Sequence, residues 1–178
     1  MSDDDDRLGI SDQRRIGFGM VVVMWIMVFG LLTWFFSDIL QKQINPNQNV
    51  LSQIDDAGVK EVSLKRNRQG HYVTSGKING QGVVFMVDTG ATDIAVPVKV
   101  AQRLGLVPGR ESVHQTANGK VVVFTTRLES VAVGEITLNN VEASINPGME
   151  FDEILLGMSF LKNLEFTQRG DILTLRQY

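Results

Sequence analysis

The feature that most constrains this chain is an uninterrupted apolar segment near its N-terminus. Ile16 to Phe36 comprises 21 residues without a charged side chain. As an α-helix rising about 1.5 Å per residue it would span roughly 30 Å, the thickness of a bilayer's hydrocarbon core. One alternative is a buried core helix, but a helix of this length in a globular protein normally has a polar face. The other is a cleaved signal peptide, whose apolar region is usually shorter, about 7 to 15 residues. The pattern therefore predicts an uncleaved transmembrane helix over residues 16–36.

The basic residues around this segment predict its orientation. Arg7, Arg14 and Arg15 precede it, whereas Lys42 is the one basic residue among the twenty that follow it. Cytoplasmic flanks carry the excess of Lys and Arg. Residues 1–15 are therefore predicted to form a cytoplasmic tail, with the C-terminal part of the chain across the membrane.

Composition excludes several kinds of site. The 178 residues include 17 Lys and Arg, 20 Asp and Glu, two His and no Cys. Without clustered basic residues the chain is not expected to bind nucleic acid. Without cysteine it has no disulfide, thiolate zinc site, iron–sulfur cluster or cysteine nucleophile. His71 and His114 are interpreted as solvated surface side chains, and neither a metal nor another cofactor is predicted.

The remainder of the chain changes character at Lys60. Residues 37–59 are rich in Asn, Gln, Asp and Ser and are predicted to form a polar linker. Residues 60–178 contain short β-branched runs separated by turn signals such as Asn79-Gly80, which predicts an all-β domain. Short helices are expected at Lys99–Leu104 and Ser159–Leu164. The predicted strands cover 61–64, 72–78, 83–87, 94–96, 121–126, 130–133, 141–145 and 172–175.

One segment places a carboxylate at the end of an apolar strand. Val83 to Val87 leads directly into Asp88, Thr89, Gly90 and Ala91. An acid on a rigid strand, followed by a hydroxyl and a glycine that permits a tight turn and close backbone approach, suits an active site. The same residues could also form a simple Asx turn at a strand end.

Further motifs favour the active-site interpretation. A second apolar strand followed by glycine lies about seventy residues after the first. The set of motifs is Asp88-Thr89-Gly90-Ala91-Thr92, Arg103-Leu104-Gly105-Leu106, Thr116-Ala117-Asn118-Gly119 and Leu155-Leu156-Gly157-Met158-Ser159-Phe160-Leu161. As a set they resemble the retropepsin-like aspartic proteases, and in particular their bacterial membrane-anchored branch. The resemblance extends from about Tyr72 to Leu175.

This resemblance implies an all-β, retropepsin-like half-barrel with a flap hairpin, preceded here by one transmembrane helix. It implies an endopeptidase whose catalytic residue is Asp88 and which needs no cofactor. Ala117, Asn118 and Gly119 would form the flap tip, which clamps an extended peptide through main-chain hydrogen bonds. The residues that would support the active site are Thr89, Gly90, Ala91, Leu156 and Gly157.

The number of carboxylates predicts the assembly. Aspartic proteases use two carboxylates that share one proton, but this chain has one Asp-Thr-Gly, and 119 residues are too few for a two-lobed enzyme. A second copy would supply the second carboxylate, giving a homodimer with the site on its two-fold axis. Viral retropepsins have Asp and Arg where this chain has Thr92 and Met158, so viral-type bracing of the dimer is not expected. Asp93 is interpreted as a solvated surface carboxylate, with a part in substrate binding as the alternative.

Two other functions compete with the protease. Gly157-Met158-Ser159 begins like the nucleophile elbow of a serine hydrolase, but Leu161 stands where that motif needs glycine. A non-catalytic, membrane-tethered peptide-binding module stays open as the alternative, since a fold does not determine an activity. For a bacterial source, the predicted orientation makes this a single-pass inner-membrane protein with a periplasmic domain.

Overall fold

The chain divides into two compact units, Met1–Gln41 and Lys42–Tyr178. A computed structural model describes residues 5–116 and 119–178, with side chains described from residue 17 onward except those of 38 and 116. Helix α1 begins at Asp5 and ends at Ile44. It contains all the described residues of the first unit, and its last three residues are counted in the second.

Helix α1 contains the predicted apolar segment and extends beyond it. Gly17–Ile44 is long and apolar enough to span a membrane, with a mean hydropathy of 2.2 and no buried side chains in its most apolar part. Trp25 is 52% exposed and Trp34 is 72% exposed. This exposure distinguishes α1 from the core helix of a soluble domain, which packs its apolar face against other elements.

The second unit is mostly β-sheet with two short helices, as predicted. Its elements are β1 (Leu51–Ile54), β2 (Lys60–Lys65), β3 (Val73–Ile78), β4 (Gln81–Val87), β5 (Ile94–Pro97), α2 (Val98–Arg103), β6 (Glu111–Thr116), β7 (Gly119–Val133), β8 (Ile136–Asn146), β9 (Ile154–Leu156), α3 (Met158–Leu161), β10 (Glu165–Arg169) and β11 (Ile172–Gln177).

The strands form two sheets around one apolar core. One sheet has the order β1-β2-β11-β10 and the other β3-β4-β9-β5-β8-β7-β6. Strand β9 lies between β4, to which it is parallel, and β5, to which it is antiparallel. Its side chains Ile154 and Leu156 are fully buried, as are Phe85, Ile94 and Phe160. This central position of β9 brings the segments after β4 and β9 together.

Several strands differ from the sequence-based prediction. Residues 121–126 and 130–133, predicted as two strands, belong to the single strand β7. Strands β1 and β10 were not predicted, and β6 was expected only as the first arm of the flap hairpin. Their sequences are polar or their side chains mostly exposed, so alternating hydrophobicity is weak. The predicted turn at Asn79-Gly80 is present, with φ of 49° and 78°. These positive angles are the ones that a tight hairpin turn requires.

The predicted polar linker is structured along most of its length. Residues 37–44 belong to α1, and residues 51–54 form β1, which pairs with β2. Between them, the buried side chain of Asn47 donates to the carbonyls of Lys65 (2.9 Å) and Val73 (2.7 Å) and accepts from the Lys65 N–H (2.7 Å). Asn67 likewise donates to the carbonyl of Ile44. Polar composition here reflects side chains that satisfy backbone groups, and the compact unit begins at Lys42.

We expect Asn47→Ala to lower the free energy of unfolding by about 3 kcal/mol, because it leaves buried backbone groups of β2 and β3 without hydrogen-bond partners. Urea unfolding of the full chain in detergent, followed by circular dichroism, measures the change. Asn49→Ala is the matched control, since Asn49 is exposed. Equal urea midpoints for the two variants would contradict this role of Asn47.

Candidate active site

The loop after β4 carries Asp88 in a position fixed by the central strands. The Asp88 N–H donates to the carbonyl of Leu156 at 3.2 Å, which extends the parallel β4–β9 ladder by one residue. Its carboxylate oxygen Oδ1 accepts from the Gly90 N–H at 2.9 Å, and its carbonyl accepts from the Ala91 N–H at 3.3 Å. The half-buried carboxylate is therefore oriented by backbone groups, while Thr89 and Gly90 are exposed beside it.

Gly157 and helix α3 hold the other side of this loop. The N–H groups of Met158 and Ser159 donate to the carbonyls of Ala91 (2.8 Å) and Thr92 (3.0 Å). A Cβ at position 157 would lie 2.1 Å from the Asp93 carbonyl oxygen and 2.7 Å from that of Ala91. Only glycine leaves room for so close an approach of two backbone segments.

Ser159 acts as a structural hydroxyl. Its Oγ donates to the carbonyl of Glu142 at 2.8 Å and accepts from the Ile94 N–H at 3.2 Å. It thereby ties α3 to β5 and β8. This use of both hydrogen-bonding functions agrees with the sequence argument against a serine nucleophile.

The structure brings together six of the nine residues selected from the sequence. Those that meet at the ends of β4 and β9 are Asp88, Thr89, Gly90, Ala91, Leu156 and Gly157. Gly119 begins β7 with a φ of 111°, opposite Thr116 in the β6–β7 pair. Ala117 and Asn118 lie outside the described residues. The β6–β7 hairpin itself is present where the flap was predicted.

A hollow of about 400 Å³ opens beside Asp88 and Thr89. It lies against the exposed strand β10, whose Phe166 is 42% exposed. Its walls are mainly apolar and contain Asp88 as the one carboxylate among the described residues that line it. The lining residues are Tyr72, Val87, Asp88, Thr89, Leu161, Phe166, Gln168, Leu173 and Leu175.

Asp93 differs from its interpretation as a solvated carboxylate. Its side chain is 19% exposed, and its Oδ1 accepts from the Ser144 hydroxyl at 3.0 Å. The His114 Nδ1 lies 4.0 Å from the same oxygen, and the His114 side chain is 33% exposed. Burial raises the pKa of Asp93, and the Ser144 hydrogen bond and the charge of His114 oppose that rise. No local pattern could reveal these contacts, because they join residues from three distant segments. His71 is exposed, as predicted.

Comparison with known proteins assigns the class. The family model described as "gag-polyprotein putative aspartyl protease" matches residues 74–163, which include the Asp88 loop and Gly157. The chain belongs to the retropepsin-like aspartic proteases. It is similar to the crystal structure of a retropepsin-like aspartic protease from Rickettsia conorii, with 31% sequence identity and a TM-score of 0.54 over 72% of this chain and 95% of that one.

Two sequence relatives match more than half of this chain. An uncharacterised protein from the cobV 5′ region of a Sinorhizobium species is 36% identical over 126 residues, 68% of this chain and 54% of the relative. An uncharacterised protein of Rickettsia prowazekii is 34% identical over 110 residues, 60% of this chain and 47% of the relative. The chain thus spans about half the length of these two relatives.

Proposed function

We propose that this chain is an aspartic endopeptidase, in which two Asp88 carboxylates, one from each subunit of a homodimer, activate the water that attacks the peptide bond. The observation that carries the proposal is the Asp88 carboxylate, which backbone groups orient at the edge of an open hollow. One carboxylate takes a proton from the water while the other, protonated, donates to the substrate carbonyl. Two carboxyl groups about 3 Å apart cannot both be ionised, because their negative charges would repel each other, so the pair shares one proton.

The hollow beside Asp88 supports a dimer. Its described lining supplies one carboxylate, so the second has to come from another chain. Strand β10 is the edge of its sheet, with β11 as its only described strand neighbour, and Phe166 projects from it beside the hollow. An unpaired edge strand next to an exposed aromatic ring favours association with a second copy. We propose that Thr89, exposed at the same place, contacts its partner there and supports the two carboxylates.

We further propose that the β6–β7 hairpin covers bound peptide. Among the described strands β6 is the end strand of its sheet, and in this proposal residues 117–119 lie over an extended substrate. Gly90 offers its backbone to the substrate from the opposite side, and its exposure supports that role. Main-chain hydrogen bonds would then bind many different sequences, and pockets for side chains would select among them.

Incubation of the full chain in detergent with a mixed peptide pool between about pH 3 and pH 8 tests the activity, with mass spectrometry as the readout. We expect new peptide termini at defined positions, and none when Asp88 is replaced. Peptides that bind but stay intact would contradict the endopeptidase and support the non-catalytic binding module.

The dimer gives a second prediction. At concentrations below the dimer dissociation constant, the cleavage rate should vary with the square of protein concentration, because each chain carries half of the site. Adding an excess of Asp88→Asn chains should suppress wild-type activity by forming dimers with one carboxylate. The same excess of Asp56→Asn chains, which retain Asp88, should not suppress it, since Asp56 is an exposed residue away from the loop. Linear concentration dependence without suppression would contradict the dimer.

We propose that α1 anchors the protease in the bacterial inner membrane with its N-terminus in the cytoplasm, as in the membrane-anchored branch of the family. The length and apolar surface of Gly17–Ile44 support an anchor. Arg7, Arg14 and Arg15 on its N-terminal side support the orientation. Confinement to a membrane would raise the effective concentration of the two half-sites.

Fusions after Tyr178 test this topology. Alkaline phosphatase fused there should be active and green fluorescent protein dark, since the first requires the periplasm and the second the cytoplasm. A fluorescent fusion with inactive phosphatase would reverse the orientation without affecting the peptidase proposal. Loss of α1 from the mature protein, measured by its mass, would identify a cleaved signal peptide.

A further inference from the structure

Asp93 is fixed in a cavity next to the candidate active-site loop. It follows Asp88 by five residues and precedes β5. Ser144, a fully buried residue of β8, donates its hydroxyl hydrogen to Asp93 Oδ1 at 3.0 Å. The carboxylate therefore has a defined position in a cavity of about 850 Å³ that it lines together with His114.

His114 reaches this carboxylate from the flap hairpin. It lies on β6, the end strand of the sheet, whose pairing among the described strands is with β7 alone. The contact between His114 Nδ1 and Asp93 Oδ1 thus links the hairpin to the segment after Asp88 through side chains, in addition to the backbone pairing of β6 with β7. The separation of 4.0 Å is that of an ion pair. It is about 1 Å longer than an N–H···O hydrogen bond, so a small movement of the hairpin would convert one into the other.

We propose that His114 and Asp93 form a pH-dependent latch, in which the protonated imidazole draws the β6–β7 hairpin towards the Asp88 loop. Asp93 is then a positioning residue for substrate binding, which acts through the hairpin and does not touch the reacting atoms. The expected effect on substrate binding rests on the proposed function, because it requires that the chain cleave peptides. The latch itself is a property of the fold.

The charges around the pair limit the pH range of the latch. Glu142 on β8 lies near Asp93, and Arg127 on β7 binds the Glu142 carboxylate at 3.1 Å. Glu129 and Lys162, of opposite charge, line the same cavity. Burial raises the pKa of Asp93, so its charge is lost earlier on acidification than that of an exposed Asp. Histidine is the side chain whose charge changes between mild acid and neutral pH. The latch is therefore expected to close on mild acidification and to open when the imidazole is neutral.

A label on the hairpin tests the latch without any assay of activity. The chain has no cysteine, so Val113→Cys, at a residue 57% exposed beside His114 on β6, accepts a single spin label. In the full chain in detergent, we expect the label to become less mobile between about pH 7.5 and pH 5.5. Adding His114→Gln or Asp93→Asn should remove this change. His71→Gln, at the exposed second histidine, should preserve it.

Kinetics then separate positioning from folding. For a cleaved peptide, we expect KM to fall about threefold over the same pH interval, the size typical of a partly exposed ion pair. In His114→Gln and Asp93→Asn the KM should lose this pH dependence, while kcat follows the wild-type profile. A label whose mobility is independent of pH in the wild-type background, or keeps its response in His114→Gln, overturns the latch. A responding label in a chain that cleaves no peptide overturns the proposed function and leaves the latch standing.

Discussion

Asp88→Asn should lower the rate of peptide cleavage by about a thousandfold or more, because the amide keeps the shape of the carboxylate but can neither take nor share the proton. The fold should persist. The amide oxygen of Asn can accept the Gly90 N–H that Asp88 Oδ1 accepts at 2.9 Å, so the turn retains its hydrogen bond. The measurement is kcat/KM on a peptide from the pool, beside a urea unfolding curve.

Asp56→Asn is the matched control for this variant, since it removes one exposed carboxylate from the same domain. It should cleave at the wild-type rate. Retained turnover in a correctly folded Asp88→Asn chain would exclude Asp88 as the catalytic residue. Loss of turnover together with loss of folding would instead assign Asp88 a structural role, which the intact turn argues against.

Gly157→Ala should strongly destabilise the domain. The new Cβ would lie 2.1 Å and 2.7 Å from two carbonyl oxygens of the Asp88 loop, and backbone atoms cannot move aside as flexible side chains do. Either α3 or the loop has to shift, which also disrupts the bonds from Met158 and Ser159 to that loop. We expect a loss of about 3 kcal/mol in the free energy of unfolding and of most activity.

Gly82→Ala is the control for this substitution. Gly82 lies on β4, and a Cβ there would meet nothing within 4 Å. We expect its unfolding midpoint to match or slightly exceed that of the wild type, because alanine restricts the unfolded chain. Equal urea midpoints for Gly157→Ala and Gly82→Ala would show that the loop does not depend on the close approach at Gly157.

The sequence predicts those parts of the site in which a strand pattern and the motif residues occur in the same short segment. The apolar runs of β4 and β9 are short, bounded by Asp88 and Gly157, and buried in the core. Their residues therefore carry both the strand signal and the motif. The hairpin at Asn79-Gly80 is equally local, because residues with positive φ at a turn are nearly restricted to Gly and Asn.

The elements that depend on hydrogen-bond partners in other segments were not predicted from the sequence. Strand β10 has exposed side chains throughout and exists because β11 supplies its hydrogen bonds. Asn47 belongs to a stretch that reads as a linker, yet it is buried against β2 and β3. In both cases the hydrogen bonds to backbone groups that define the structure come from another segment of the chain. The composition of the segment itself does not indicate them.

The sequence by itself determined the apolar N-terminal helix, the all-β class and the residues Asp88 to Ala91 and Gly157 as the candidate site. The helix, the β class and the Asp88 turn follow from short-range spacing, which fixes periodicity, turn geometry and the position of a side chain at a strand end. Gly157, and the interpretation of these residues as a catalytic site, come from the resemblance to the retropepsin-like aspartic proteases. The tertiary structure alone decided that residues 45–59 belong to the compact β unit and that His114 meets Asp93, and it supplied the distances at which Gly157 lies against the Asp88 loop. These contacts arise when the order β4-β9-β5-β8-β7-β6 brings separate segments together, and that order depends on long-range strand pairing.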